Sequence, residues 1–260
     1  MPPALPDHPP ASARFLAIET STDTLSLALG EARPGDALHR FSGAGGAQAS
    51  TTLLPQVQAL LDAAGWRLGD LDAIAFGRGP GSFTGLRTAC AVAQGLAYGT
   101  RNARHPQGLP LLPVDTLLAL AEQARADHAA DGHPAPRHTA ALLDARMDEL
   151  YVAAYAHTPQ GLVEIAPARL CAPAALAGWL ADQGLDGPDT LLAGNAFGVY
   201  GDALGPLNGQ RRSALPTAEA LLRLAPGLLA AGRAVAARDA LPLYVRDKVA
   251  RTTAEREGSA

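Results

Sequence analysis

The 260 residues carry a formal charge of −4, with 48% hydrophobic and 18% charged side chains. This composition describes a globular chain long enough for one large domain or two lobes, and it excludes a bulk electrostatic grip on nucleic acid. Arginine supplies 20 of the 21 basic residues and Lys248 is the one lysine, so a mechanism needing lysine in the body of the protein is excluded.

The N-terminal MPPALPDHPPASARF is proline-rich and has no basic region followed by an apolar core. Residues 1–13 therefore read as a disordered tail and not as a signal peptide. No apolar run approaches membrane-spanning length, so the expectation is a cytoplasmic protein with no membrane partner. Residues 14–20 and 23–31 are predicted strands, joined by a hairpin turn at Thr20-Ser21-Thr22-Asp23. A weaker third strand is expected at 36–41, on an edge, followed by a flexible glycine-rich connection at 42–47. A helix follows to about Gly65, with Leu53, Leu54, Val57, Leu60 and Leu61 as its apolar stripe and Pro55 in its first turn.

LDAIAF at 71–76 reads as a short buried strand. It leads into FGRGPGSFTGLR, where glycines stand at 77, 79, 81 and 85. A helix capped by Ser82 or Thr84 then runs to about Tyr98. Gly85, Ala89, Ala93 and Ala97 recur at every fourth position and form a small-sided face, flanked by Leu86, Cys90 and Leu96. Such a face admits close approach of another element. Periodicity leaves open whether that element lies within the chain or across a subunit boundary.

A second region begins at residue 108. It contains a helix capped by Asp115 or Thr116, an exposed loop at 125–138, and strands at 139–144 and 149–156 joined by ARMD. Extended structure follows through GLVEIAPARL, with helices near 173–183 and 217–230 and a strand and turn at 190–196. LPLYV at 241–245 looks ordered, and 247–260 reads as a polar tail. The expected organisation is two α/β lobes, 14–107 and 108–246, with no short internal repeat.

The glycine stretch lacks the lysine of GxxxxGK[ST] and misses the GxGxxG spacing. Gly77, Gly79, Pro80 and Gly81 are therefore read as a structural turn in preference to a phosphate cradle. Glu19, Thr20, Ser21, Thr22, Asp23 and Ser26 of the first hairpin could orient phosphate and, through an acidic side chain, magnesium, but a plain capped hairpin is the preferred reading. Asp144, Arg146 and Asp148 form either a polar cleft site or a salt-bridged turn. No HExxH, HxxxH or GxSxG occurs. His128, His133 and His138 are read as solvated loop residues, and two cysteines, Cys90 and Cys171, make no metal site. No metal, cofactor or catalytic residue is assigned.

Five segments in order resemble the bacterial TsaB (YeaZ) family: FLAIETSTDTLSLAL (15–29), LLPQVQALLDAAG (53–65), LDAIAFGRGPGSFTGLRTACAVAQGLAYG (71–99), ALLDARMDELYVAAY (141–155) and LPLYVRDKVA (241–250). The resemblance implies a duplicated actin-like, sugar-kinase-like (ribonuclease H-like) α/β fold with two lobes. It implies a noncatalytic partner of TsaD, the paralogue that transfers threonylcarbamoyl to N6 of adenosine 37 in tRNAs reading ANN codons. The ATPase TsaE joins that pair, homodimers use an overlapping surface, and direct tRNA contact is limited. Carried onto this chain, the partner interface would comprise Arg78, Phe83, Gly85, Leu86, Ala89, Cys90, Ala93 and Ala97. Two departures stand out: Glu19 replaces the family's usual aspartate, and Ala49 stands where histidine is frequent. The alternatives are a small-substrate kinase or ATPase of the same fold, a self-associating structural protein, and a metallopeptidase.

Overall fold

The computed structural model describes residues 13–31, 38–101 and 105–246. The expected tails, apart from the buried Ala13, and residues 36–37 of the expected third strand lie outside the described residues. Strands β1 (Arg14–Glu19), β2 (Thr24–Glu31), β3 (His39–Ala44), β4 (Ala73–Gly79) and β5 (Leu111–Asp115) form one sheet in the order β3-β2-β1-β4-β5. Strands β6 (His138–Asp144), β7 (Leu150–Thr158), β8 (Gly161–Cys171), β9 (Thr190–Gly194) and β10 (Gln210–Arg212) form a second, in the order β10-β9-β6-β7-β8. Helices are α1 (Ala49–Ala64), α2 (Phe83–Gly99), α3 (Thr116–Ala130), α4 (Leu176–Asp182), α5 (Ala196–Tyr200) and α6 (Ala218–Ala230).

The two sheets share one topology. In each, an antiparallel meander of three strands is extended by two parallel strands on the side of its first strand. The duplication left no repeat in the amino-acid sequence, because each half needs only apolar residues in the right period. Parallel strands need crossover helices, and helices on both faces bury the central strands completely. This is why β1 and β4 read as nearly unbroken apolar runs.

On the outer face of the first sheet, Leu16, Ile18, Leu25, Leu27 and Leu29 meet Leu53, Val57, Leu60 and Leu61 of α1 and the small residues of α2. On its inner face, Phe15, Ala17, Ala28 and Ala75 meet Leu221 and Ala225 of α6. In the second lobe, α4 lies with the outer core of Leu142, Val152 and Leu192. Its inner face, with Leu143, Tyr151 and Tyr155, meets Leu117, Leu120 and Ala124 of α3.

The helices α3 and α6 are thus exchanged. Each follows the last strand of one sheet and covers the other sheet. Between them, buried Glu122 accepts hydrogen bonds from Arg125 and Arg223, and Thr217 donates to Gln123. A single cut at 107/108 therefore does not separate the lobes. Strand β5 pairs with β4, and α6 with its following segment belongs to the first lobe.

Smaller differences from the sequence expectation have local causes. Strand β3 extends through Ala44, so much of the glycine-rich connection is paired to β2. Pro55 lies on the exposed side of α1, beyond its first turn. Residues 125–130 are helical, not looped. The i,i+3 pair Arg125–Glu122 and the i,i+4 bond from Gln123 to Asp127 support that last turn. His128 is buried there, within hydrogen-bond distance of the Pro134 carbonyl and stacked on His133, which corrects its reading as solvated. The short polar edge strand β10 carries no periodic signal.

Candidate partner-binding surface

The glycine run lies at the carboxyl end of β4. Because β4 continues to Gly79, Gly77 and Gly79 are strand residues, which corrects the expectation of a turn beginning at 77. What the glycines provide is close approach. A Cβ at Gly77 would strike the Glu19 carboxyl group, one at Gly81 would strike Ser21, and one at Gly85 the Thr20 carbonyl oxygen. Only Gly79, among these, adopts a positive φ, +123°, with the Leu243 carbonyl where a side chain would stand. Pro80 follows and is buried.

The first hairpin lies directly on this floor. Ser82 N–H donates to the Ser21 carbonyl at 2.7 Å, and Thr20 Oγ1 donates to the Gly85 carbonyl at 2.8 Å. Ser82 Oγ accepts from Gly85 N–H and caps α2. Glu19 is 1% exposed. Its Oε1 accepts the Ser21 N–H at 2.6 Å, while Oε2 has no partner among the described residues. Burial pushes its carboxyl above the usual carboxylate range. The sealed Glu19 carboxyl cannot reach a magnesium–phosphate group, and the exposed Asp23 of the same hairpin is paired with Arg146. Among the described residues, no group of three or more His, Cys, Asp or Glu could hold a metal ion.

Glu19→Gln is expected to raise Tm at neutral pH. With its pKa raised on folding, Glu19 holds more proton in the native than in the unfolded state, so its stability contribution falls as pH rises above the unfolded value. The Tm advantage of the variant should therefore shrink as pH is lowered toward the ordinary carboxylate range. Parallel thermal melts across that range test it, and an advantage that grows on acidification would be the wrong sign.

The second hairpin closes on the first. Arg146 pairs with Asp144 of its own hairpin and with Asp23 of the first-lobe turn. Asp144 also accepts from Tyr200 Oη at 2.7 Å. The salt-bridged-turn reading of this cluster therefore holds for Asp144 and Arg146, with Asp148 exposed beside them. Arg146, Met147 and Asp148 all have left-handed φ, at +61°, +56° and +56°. Each costs roughly 1–2 kcal/mol. Arg246 supports the turn by donating to the Ala145 and Arg146 carbonyls and pairing with Glu149 at 2.6 Å. Arg246→Ala is expected to lower stability by about 1–3 kcal/mol and to speed amide exchange at 145–149. Unchanged exchange in that turn would contradict the bracing role.

Helix α2 has two faces. Gly85, Leu86, Ala89, Cys90, Ala93 and Ala97 are buried within the first lobe, against its own sheet and C-terminal segment. Cys90 Sγ donates to the Ala240 carbonyl. These six residues are expected at a partner interface, and the structure corrects this: the small Ala89, Cys90, Ala93 and Ala97 seat α2 on its own sheet, Gly85 meets the first hairpin, and Leu86 is buried within the lobe. Arg78 turns toward β5 and pairs with Asp115, which takes it off the helical surface as well. Of the predicted residues on α2, Phe83, half-exposed at the first position of the helix, is the one left at the surface.

The outward face of α2 presents Thr84, Arg87, Ala91, Gly95 and Tyr98, and Gly95 faces open space. Beside it, α1 presents Leu54, Gln58 and Asp62. Leu54 is 49% and Tyr98 62% exposed. A groove of about 370 Å³ lies along α1 and the segment after it, lined by Leu54, Leu61, Trp66 and Leu68 among others, with Leu96 of α2 at one side. Leu54, expected on the apolar stripe of α1, faces outward instead. The signal for this was its neighbour Leu53, since adjacent helix positions point about 100° apart.

Two sheets of one topology with exchanged covering helices define the class as actin-like, two-lobed α/β proteins. A family model described as "TsaD: tRNA N6-adenosine threonylcarbamoyltransferase" matches residues 46–251. The chain is 33% identical over 252 residues to the tRNA threonylcarbamoyladenosine biosynthesis protein TsaB of Escherichia coli K12, covering 91% of this chain and 96% of that protein. The Haemophilus influenzae TsaB is 39% identical over 142 residues, 53% of this chain and 51% of the relative. The solved structure of YeaZ from Pseudomonas aeruginosa superposes with a TM-score of 0.73 at 35% identity, covering 89% of this chain and 99% of that one. The chain belongs to the TsaB (YeaZ) family. None of the described helices is long and apolar enough to cross a membrane.

Proposed function

We propose that this chain is the noncatalytic partner and activator of a TsaD-type subunit, which transfers threonylcarbamoyl to N6 of adenosine 37 in tRNAs reading ANN codons. The observation that carries the reading is the conjunction of a sealed first-lobe hairpin with an exposed two-helix surface in a member of this family. The first hairpin packs on the glycine run and buries the Glu19 carboxyl there, so Glu19 offers no accessible carboxylate for phosphate chemistry. The outward faces of α1 and α2 offer small and apolar side chains beside a groove, which suits close helix-to-helix docking.

The pairing surface in this reading is Leu54, Ala91, Gly95 and Tyr98, in place of the buried small face. A second copy of the chain uses much the same surface, so self-association and pairing compete. The ATPase TsaE joins the assembled pair in the cytoplasm, and tRNA contact by this chain is limited, in keeping with its charge of −4. A kinase or ATPase reading would require an accessible carboxylate where Glu19 is buried.

The test is reconstitution of tRNA threonylcarbamoylation by the catalytic paralogue and the ATPase, with and without this chain. Modification should rise on addition, while the isolated chain turns over no nucleotide. No rise, or magnesium-dependent turnover by the chain alone, would sink the proposal.

A further inference from the structure

The segment after α6 runs back along the first lobe as a strap. Val235 bridges to Leu111 at the free edge of β5. Gln94 of α2 then donates to the Ala237 and Ala240 carbonyls, and Leu243 N–H donates to the Arg78 carbonyl at 2.7 Å. Arg246 anchors the far end on the second hairpin. The inner side of the strap is therefore fixed by hydrogen bonds. Its outer side is not covered: Leu241 is 69% and Tyr244 45% exposed.

Tyr244 packs on Phe83 with ring centroids 5.3 Å apart. The Arg87 guanidinium lies 3.6 Å from the Phe83 ring centroid and donates to Tyr244 Oη at 3.0 Å. Arg87 makes no ion pair with a carboxylate among the described residues. Tyrosine and arginine dominate the energetics of protein interfaces. Here they are already ordered by the chain itself, so docking would lose little side-chain entropy.

We infer that Leu241, Tyr244, Phe83 and Arg87 form a second contact patch for the same protein that covers α2, and that the patch takes a segment with an acidic side chain flanked by apolar ones. This rests on the proposed pairing through α2. Continuity selects the occupant, because Arg87 stands both on the outward face of α2 and in the strap cluster. Charge selects the chemistry. An arriving carboxylate supplies the missing counter-ion to a cation held over an aromatic ring, and the apolar neighbours cover Leu241.

The experiment uses full-length protein and purified TsaD-type paralogue as the probe, with binding measured at two salt concentrations and melting curves recorded in parallel. Leu241→Asp should weaken pairing about tenfold or more with an unchanged melting temperature, and Arg87→Glu, which also gives up its contacts to Phe83 and Tyr244, should weaken it about tenfold or more while still folding. Arg87→Glu should also flatten the salt dependence. Ala91→Arg serves as the α2 control, and Val163→Asp on the exposed edge strand β8 should leave pairing unchanged.

If Leu241→Asp pairs like wild type while Ala91→Arg does not pair, the strap patch is overturned and the α2 reading stands. If neither variant weakens pairing, the α2 reading fails and the patch fails with it. If Leu241→Asp abolishes only self-association in sedimentation, the choice of occupant is wrong. Should Leu241→Asp melt early, Leu241→Ser removes the apolar contact without a charge and must still weaken pairing, or the patch is overturned.

Discussion

Gly85→Ala is expected to destabilise the first lobe severely. A Cβ at position 85 would collide with the Thr20 carbonyl oxygen, which is backbone and cannot rotate away. The hairpin cannot simply lift, because Thr20 Oγ1 is bonded to the Gly85 carbonyl and the Ser21 carbonyl to Ser82 N–H. Lifting it would also open the cover over the Glu19 carboxyl. Overpacking in a core usually costs about 1–3 kcal/mol through side-chain adjustment. Backbone against backbone leaves no such adjustment, so the loss should exceed about 3 kcal/mol from a total of about 5–15. Chemical denaturation and the yield of folded protein measure it. Gly95→Ala on the same helix faces open space and is expected to be neutral or to stabilise by up to about 1 kcal/mol. Equal melting of Gly85→Ala and wild type would show that the hairpin does not sit on the helix as described.

Two substitutions two residues apart on α2 are expected to fail in different ways. Ala91→Arg should fold normally and pair with the catalytic paralogue about a hundredfold more weakly, because a long charged side chain would stand where close helix contact is needed. Ala93→Arg should not fold, because residue 93 is fully buried in the core between α2 and the sheet. An unpaired charge buried there costs several kcal/mol. Melting curves and gel-filtration pairing assays on both variants separate the outcomes. A folded Ala93→Arg protein that fails to pair, beside a fully active Ala91→Arg, would return the interface to the small-residue face.

That contrast marks how far the sequence could be read. The four-residue spacing of Gly85, Ala89, Ala93 and Ala97 correctly marks a face that something approaches closely. Periodicity identifies the face and not the neighbour, and here the neighbour is β4 of the same chain. The glycine run was visible as unusual, but its meaning lies in Glu19, Thr20, Ser21 and Leu243, which are remote along the chain. Strands β1, β2, β4, β6 and β7 were legible because buried strands and hairpins are local patterns. The exchange of α3 and α6 was not, since an amphipathic helix carries no label for the sheet it will cover. The strap was visible only as an ordered segment, because its bonds use backbone carbonyls that every sequence has.

The exchanged helices bear on how the chain is made. The inner face of the first sheet, with Phe15, Ala17, Ala28 and Ala75, is covered by α6, more than a hundred residues downstream of β4. Leu111 at the edge of β5 waits for Val235. A ribosome that has released the first five strands has therefore released an open sheet with one bare apolar face. The second sheet must be completed before α6 emerges to cover it. The half of the molecule that starts first closes last, and a chain halted before residue 218 exposes that face to whatever binds unfinished proteins.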